Sequence, residues 1–146
     1  MKVSELQPQQ VFTIFDQITR IPRPSKKEDR IRAFLLDFAK NHGLAAKTDK
    51  IGNVLISKPA TPGHENAPRV ILQGHMDMVC EANDKSFNFE TTPITTVVDG
   101  EWVRAQGTTL GADNGIGVAT ALAVMTDPDL VHGPLDALFT MDEETG

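Results

Sequence analysis

Three short segments of this 146-residue sequence hold the side chains best suited to chemistry: Gly74-His75-Met76-Asp77, Gly111-Ala112-Asp113-Asn114-Gly115 and Asp142-Glu143-Glu144. An imidazole with several carboxylates, and no thiolate pair, is the donor set of a hydrolytic zinc, manganese or cobalt site. It does not match a structural zinc finger. In extended backbone His75 and Asp77, two residues apart, project to the same side. One can bind a metal while the other orients it or balances its charge. Glu143 and Glu144 are neighbours and diverge, so one carboxylate can sit on a metal while the other stays free as a general base toward water. Asp113 lies between Gly111 and Gly115, where backbone can approach a ligand closely, and a lone carboxylate there can bridge two cations. Each segment also has a plain structural reading: a chance His-x-Asp, a solvated acidic face, an Asx turn opening a helix. Their joint occurrence at the ends of elements favours the chemical one.

Hydrophobic periodicity marks the elements that must position them. Pro8 suits a first helical turn, and Val11, Phe12, Phe15 and Ile18 follow at helical spacing until Pro22 and Pro24 stop the run. Ser25 and Glu28 read as a capping box before a second helix with the stripe Ile31, Phe34, Leu35 and Phe38, closed by Gly43. The charged run Lys26-Lys27-Glu28-Asp29-Arg30 reads as a solvated helix face. Ala46–Lys50 and Asn53–Ser57 suggest a hairpin around Ile51-Gly52, and Thr95–Asp99 with Glu101–Arg104 a second one at Asp99-Gly100. Arg69–Gly74 reads as a buried strand ending just before His75, Gly115–Thr126 as a buried helix, and Leu135–Met141 as an apolar strand leading into the acidic cluster. Helices alternating with apolar strands predict a layered α/β fold with a mixed or largely parallel sheet. In such sheets ligand-contacting residues collect beyond the carboxyl ends of the strands, so all three segments can converge on one rim.

Other residues carry blander expectations. His42 reads as a helix-end residue, His64 as solvated and His132 as shaping the turn before the last strand. Cys80, with no basic neighbour in sequence, reads as an inert thiol. Trp102 reads as a cross-strand packing residue, and Met76, Met78, Met125 and Met141 as core filler.

Fourteen basic against twenty acidic residues give a net charge of -6, with no basic cluster, which excludes nucleic acid as a partner. No apolar run is long enough to span a bilayer, so no membrane partner is expected. One cysteine excludes an internal disulfide framework, and the first eight residues lack the apolar core of a signal peptide; a cytoplasmic location is expected. Gly115-Ile116-Gly117 has a trace of a dinucleotide loop, but the stretch before it is a poor strand and Asp113 would repel a pyrophosphate.

The order Gly-His-Met-Asp, Gly-Ala-Asp-Asn-Gly-Ile-Gly and Phe-Thr-Met-Asp-Glu-Glu-Thr-Gly resembles the co-catalytic zinc metallopeptidases. Within them, Ile21-Pro22-Arg23-Pro24-Ser25, Gly52-Asn53-Val54 and His132-Gly133-Pro134-Leu135 resemble the aminoacyl-histidine dipeptidases, the Xaa-His or cytosol non-specific dipeptidase group. The resemblance implies a three-layer α/β/α, zinc exopeptidase-like fold, with residues 1–146 as the N-terminal part of the catalytic domain and no lid or dimerisation domain among them. It implies His75 as a ligand of one zinc, Glu144 of the other, Asp113 bridging both, Asp77 as the catalytic aspartate behind His75, and Glu143 as general base. A cis peptide bond after Asp113 is implied as well. So are two zinc ions, with Mn2+ or Co2+ as substitutes, short peptide substrates that are chiefly dipeptides, and a homodimer for the complete protein. The family's two further ligands, an aspartate soon after the Glu-Glu pair and a late histidine, have no counterpart in residues 1–146. Each zinc would have Asp113 and one more ligand here, where three protein ligands are usual. This stretch alone is therefore expected to bind zinc weakly and to be inert. The alternative to an enzyme is a non-catalytic binding or regulatory module derived from the same domain.

Overall fold

The computed structural model describes all 146 residues. After a short 3-10 turn the chain forms α1 (Gln9–Thr19), α2 (Asp29–Asn41), β1 (Ala45–Thr48), β2 (Val54–Lys58), β3 (Val70–His75), β4 (Thr96–Asp99), β5 (Trp102–Ala105), α3 (Ala112–Thr126) and β6 (Leu135–Thr140). The main sheet has the order β1-β2-β6-β3, and β4 with β5 forms a separate two-stranded ribbon. The sheet is mixed, as expected. Its β1–β2 and β2–β6 pairs are antiparallel and its β3–β6 pair is parallel. The parallel pair arises because α3 carries the chain back across the sheet between β3 and β6.

One core binds the helices to the sheet. Val54 and Ile56 of β2 lie in register with Phe139 and Ala137 of β6, and this row packs with Ile31, Leu35 and Ala39 of α2, Phe15 and Ile18 of α1, and Val118, Leu122 and Met125 of α3. α3 lies against β3 and β6, α1 against α3, and α2 against β1 and β2. The chain thus supplies the sheet and one helical layer. The opposite face bears Leu55, Ser57, Ile71, Gln73 and Leu138, none of them fully buried. Within residues 1–146, Val70 and Ile71 of β3 are 48% and 57% exposed, less enclosed than the buried strand expected from sequence. Among these residues β3 pairs only with β6, and only its last residues, Gly74 and His75, are enclosed.

Local chemistry accounts for most boundaries. α2 ends in a Schellman motif, with Gly43 left-handed at φ +66° and the N–H groups of Gly43 and Leu44 donating to the carbonyls of Lys40 and Ala39. Its start departs from expectation. The residue before it is Glu28, and no side chain caps the first turn. Glu28 is only 1% exposed, so the charged run from Lys26 to Arg30 is not one solvated face. Trp102 is exposed rather than packed across the ribbon, with the Arg104 guanidinium 5.7 Å from its ring centroid. Met76, Met78 and Met125 are buried as expected.

Asp49 fastens the turn between β1 and β2. Its Oδ1 accepts the N–H groups of Ile51, Gly52 and Asn53 at 2.9, 2.8 and 3.0 Å, and its Oδ2 accepts the Asn53 amide at 2.7 Å. These donors, the Gly52 N–H foremost, hold the carboxyl below the usual carboxylate range. A carboxylate lowered in the native state stabilises it above the unfolded value of about 3.9, and that contribution disappears as pH falls through the native value. Asp49→Ala is therefore expected to melt at a lower temperature than wild type at pH 7. Thermal melts should show the gap narrowing once the pH falls below about 3.9.

Candidate metal centre

His75 and Thr140 are register partners and the last residues of the parallel strands β3 and β6. The Met76 N–H continues the pairing to the Thr140 carbonyl at 2.8 Å. Met76-Asp77 and Asp142-Glu143-Glu144 therefore leave the sheet side by side at its carboxyl rim. The third segment meets them from the start of α3. Gly111 has φ +69°, Asp113 and Asn114 depart from helical geometry, and the Asp113–Asn114 peptide bond is cis. A side chain at Gly117 would collide with that of Asn114, so the small residue lets the first regular turn close under the irregular one.

The five residues singled out from sequence come together here. His75 is buried, and its Nδ1 lies 3.2 Å from both the Asp77 carbonyl and Asp77 Oδ1. A carbonyl can only accept, so the proton belongs on Nδ1. Nε2 is left facing Asp113 Oδ1 at 3.0 Å, with Glu143 Oε2 at 3.8 Å. A proton or a bound cation between Nε2 and the carboxylate would satisfy this pairing. Ligand atoms of His75, Asp113 and Glu144 all lie within 4.8 Å of one another. One imidazole nitrogen and two carboxylates at that spacing fit a divalent zinc-like cation. Glu143 stands beside this group, with its side chain 56% exposed.

Asp77 is fully buried, and each of its carboxylate oxygens accepts two hydrogen bonds. Oδ1 accepts from His75 Nδ1 and from the Glu143 N–H at 3.1 Å; Oδ2 accepts from Ser25 Oγ at 2.7 Å and from the Glu144 N–H at 3.0 Å. Burial, the largest single influence, works to raise its pKa. The Ser25 hydroxyl and the two backbone N–H groups outweigh it, and the carboxyl sits below the usual range. With both oxygens occupied, Asp77 can orient His75 and the Glu143-Glu144 backbone together.

Arg23 was not singled out for chemistry, yet it lies under this rim. Its guanidinium is 2% exposed and donates to the carbonyls of Met76 and Asp77, both at 3.0 Å, and to that of Gly111. Burial pushes it down to about 10, and it stays charged at neutral pH. Its only local signal is a cation between two prolines, Pro22 and Pro24. It is also the basic neighbour that Cys80 lacks in sequence. Burial nonetheless raises the Cys80 thiol despite Arg23, which disfavours its thiolate form. The other histidines stay away. His42 stacks on Phe38 at 4.2 Å, and His132 Nδ1 lies 2.7 Å from the Gly133 carbonyl, in the turn before β6.

The sequence profile of Peptidase family M20/M25/M40 matches residues 71–146, the half of the chain that holds all five rim residues. The chain is 50% identical to cytosol non-specific dipeptidase of Escherichia coli (strain K12) over 99% of its own length and 30% of that protein's. It resembles the crystal structure of aminoacylhistidine dipeptidase from Vibrio alginolyticus with a TM-score of 0.96 and 46% identity, over 100% of this chain and 30% of that one. A Staphylococcus aureus tripeptidase shares the fold with a TM-score of 0.77 at 23% identity, over 97% of this chain and 38% of its own. The chain thus spans about 30% of the length of the first two proteins. No helix in it is long and apolar enough to cross a membrane. The profile covers the residues that line the rim, and the fold coincides along the whole chain with that of a dipeptidase, so the chain belongs to Peptidase family M20/M25/M40.

Proposed function

We propose that this chain forms part of a two-metal dipeptidase centre. His75 would hold one zinc, Glu144 the other and Asp113 both, with Mn2+ or Co2+ as substitutes and further ligands supplied outside residues 1–146. The observation that carries this reading is the convergence of His75, Asp113 and Glu144 within 4.8 Å, while Glu143 stays outside the group. Bound there, the metals would polarise a peptide carbonyl and make water a stronger nucleophile near neutral pH. The chain's own residues do the rest. Asp77 fixes the His75 tautomer and holds the Glu143-Glu144 backbone in place. Glu143 takes a proton from the attacking water and passes it to the leaving amine as the carbon–nitrogen bond breaks, which releases two amino acids from a dipeptide.

The substrate class, short peptides and chiefly dipeptides including those ending in histidine, rests on the names of the two relatives with about half identity. A homodimeric full-length protein and a cytoplasmic location complete the proposal. A non-catalytic module is not favoured, because the rim keeps the base candidate as well as the ligand candidates. A full-length protein carrying this chain is expected to hydrolyse Xaa-His dipeptides, to lose that activity on chelation and to regain it with added zinc. Undiminished hydrolysis by metal-stripped protein overturns the proposal.

A further inference from the structure

Ser25 and Glu28 have the spacing of a capping box and cap nothing, since α2 starts at Asp29 without a side-chain hydrogen bond. Their polar atoms are turned to the rim instead. Ser25 Oγ donates to Asp77 Oδ2 at 2.7 Å, and Glu28 Oε1 accepts the Asp142 N–H at 2.8 Å. Glu28 is buried with Oε2 unpartnered, and Arg23 Nε is unpartnered as well. A helix without its cap and a buried carboxylate with an idle oxygen both cost stability. Local rules broken at one place point to a functional demand there.

That demand is visible in what the segment touches. Arg23 ties the exit of β3, at Met76 and Asp77, to the Gly111 loop before α3. Ser25 grips Asp77, and Glu28 grips the turn that leads into Glu143 and Glu144, where Asp142 has φ +55°. A bridge between Pro24 and Met78 pins the segment to the same exit. One six-residue stretch therefore holds all three segments that bear the proposed ligands, without touching a ligand atom. Glu28, Asp77 and Asp142 also bring carboxylate oxygens within 4.8 Å of one another. Both Asp77 oxygens are filled, though, and Lys26 Nζ lies 3.9 Å from Asp142 Oδ2, so this cluster is scaffold rather than a second cation site.

We propose that Arg23–Glu28 is the positioning segment of the metal centre, with Ser25 and Glu28 as positioning residues that set the placement of His75 and Glu144, and Arg23 holding the loop that bears Asp113. The proposal rests on the two-metal reading above. Partners of this kind behind a metal site change affinity or activity by about 10–100-fold when removed.

The test titrates metal-stripped, full-length protein carrying this chain with Co2+ and follows its visible ligand-field absorption. Ser25→Ala is expected to keep its fold by circular dichroism, to bind Co2+ about tenfold more weakly, and to show an altered absorption band, with Ser25→Thr restoring both. Glu28→Gln, which keeps an acceptor for the Asp142 N–H, is expected to bind like wild type, and Glu28→Met to show a loss like that of Ser25→Ala. Wild-type affinity and band in Ser25→Ala overturn the role of Ser25, and equal affinity in the two Glu28 variants overturns that of Glu28. If wild type itself takes up no Co2+, the two-metal reading fails instead, which is a separate result.

Discussion

Glu143→Ala, in a full-length protein carrying this chain, is expected to abolish measurable dipeptide turnover while the metal content stays at the wild-type level. A positioned general base contributes about 10²–10⁴-fold to rate, so kcat should fall by at least that range. On the proposed reading Glu143 is the base and Glu144 a ligand: the Glu143 side chain is more than half exposed and lies outside the group that Glu144 forms with His75 and Asp113, although its Oε2 comes within 3.8 Å of His75 Nε2. The turn itself depends on the Glu143 backbone, whose N–H reaches Asp77 Oδ1, so truncating the side chain leaves the anchor intact. Truncating a carboxylate whose side chain is more than half exposed should also leave the melting temperature nearly unchanged. The check pairs steady-state hydrolysis with elemental analysis of the same preparation. Ordinary turnover in that variant removes Glu143 from the base role.

The rim was legible in sequence because it obeys two rules that act over short distances. His75 and Asp77 sit at the end of an apolar run, and Glu143 with Glu144 at the end of another, so both pairs had to emerge from strand ends. Asp113 was marked by its flanking glycines, whose freedom the irregular start of α3 uses at Gly111. The stripe of α2 and the hairpin turns followed from periodicity and turn chemistry in the same way. What stayed hidden depends on partners far along the chain. Ser25 and Glu28 look like any capping pair until Asp77, 52 residues on from Ser25, and Asp142, 114 on from Glu28, are brought beside them. An apolar run such as Val70-Ile71-Leu72 has the same composition at a sheet edge as in its centre, so its place in the sheet of residues 1–146 could not be read from it. Trp102 illustrates the same limit. Its strand was correctly placed, but nothing local says that the ribbon leaves the ring in solvent beside Arg104.

Glu144→Ala should do the opposite of Glu143→Ala and lose metal. Its carboxylate is one of only three ligand candidates that converge from this chain, together with one from β3 and one from the start of α3. Removing it leaves its cation without the charge that distinguishes that position from the His75 one, so one of two zinc equivalents should be lost and turnover with it. The turn should again survive, because the Glu144 N–H still donates to Asp77 Oδ2 at 3.0 Å. Asp113→Ala extends the argument. A carboxylate that faces His75 Nε2 at 3.0 Å and lies in the same group as Glu144 would, on the proposed reading, serve both positions, so its loss should empty both. Zinc per chain, measured after dialysis against metal-free buffer, should read about two in wild type and Glu143→Ala, about one in Glu144→Ala and near zero in Asp113→Ala. Two equivalents retained in Glu144→Ala would remove that residue from the ligand set, leaving His75 and Asp113 as the ligands this chain contributes.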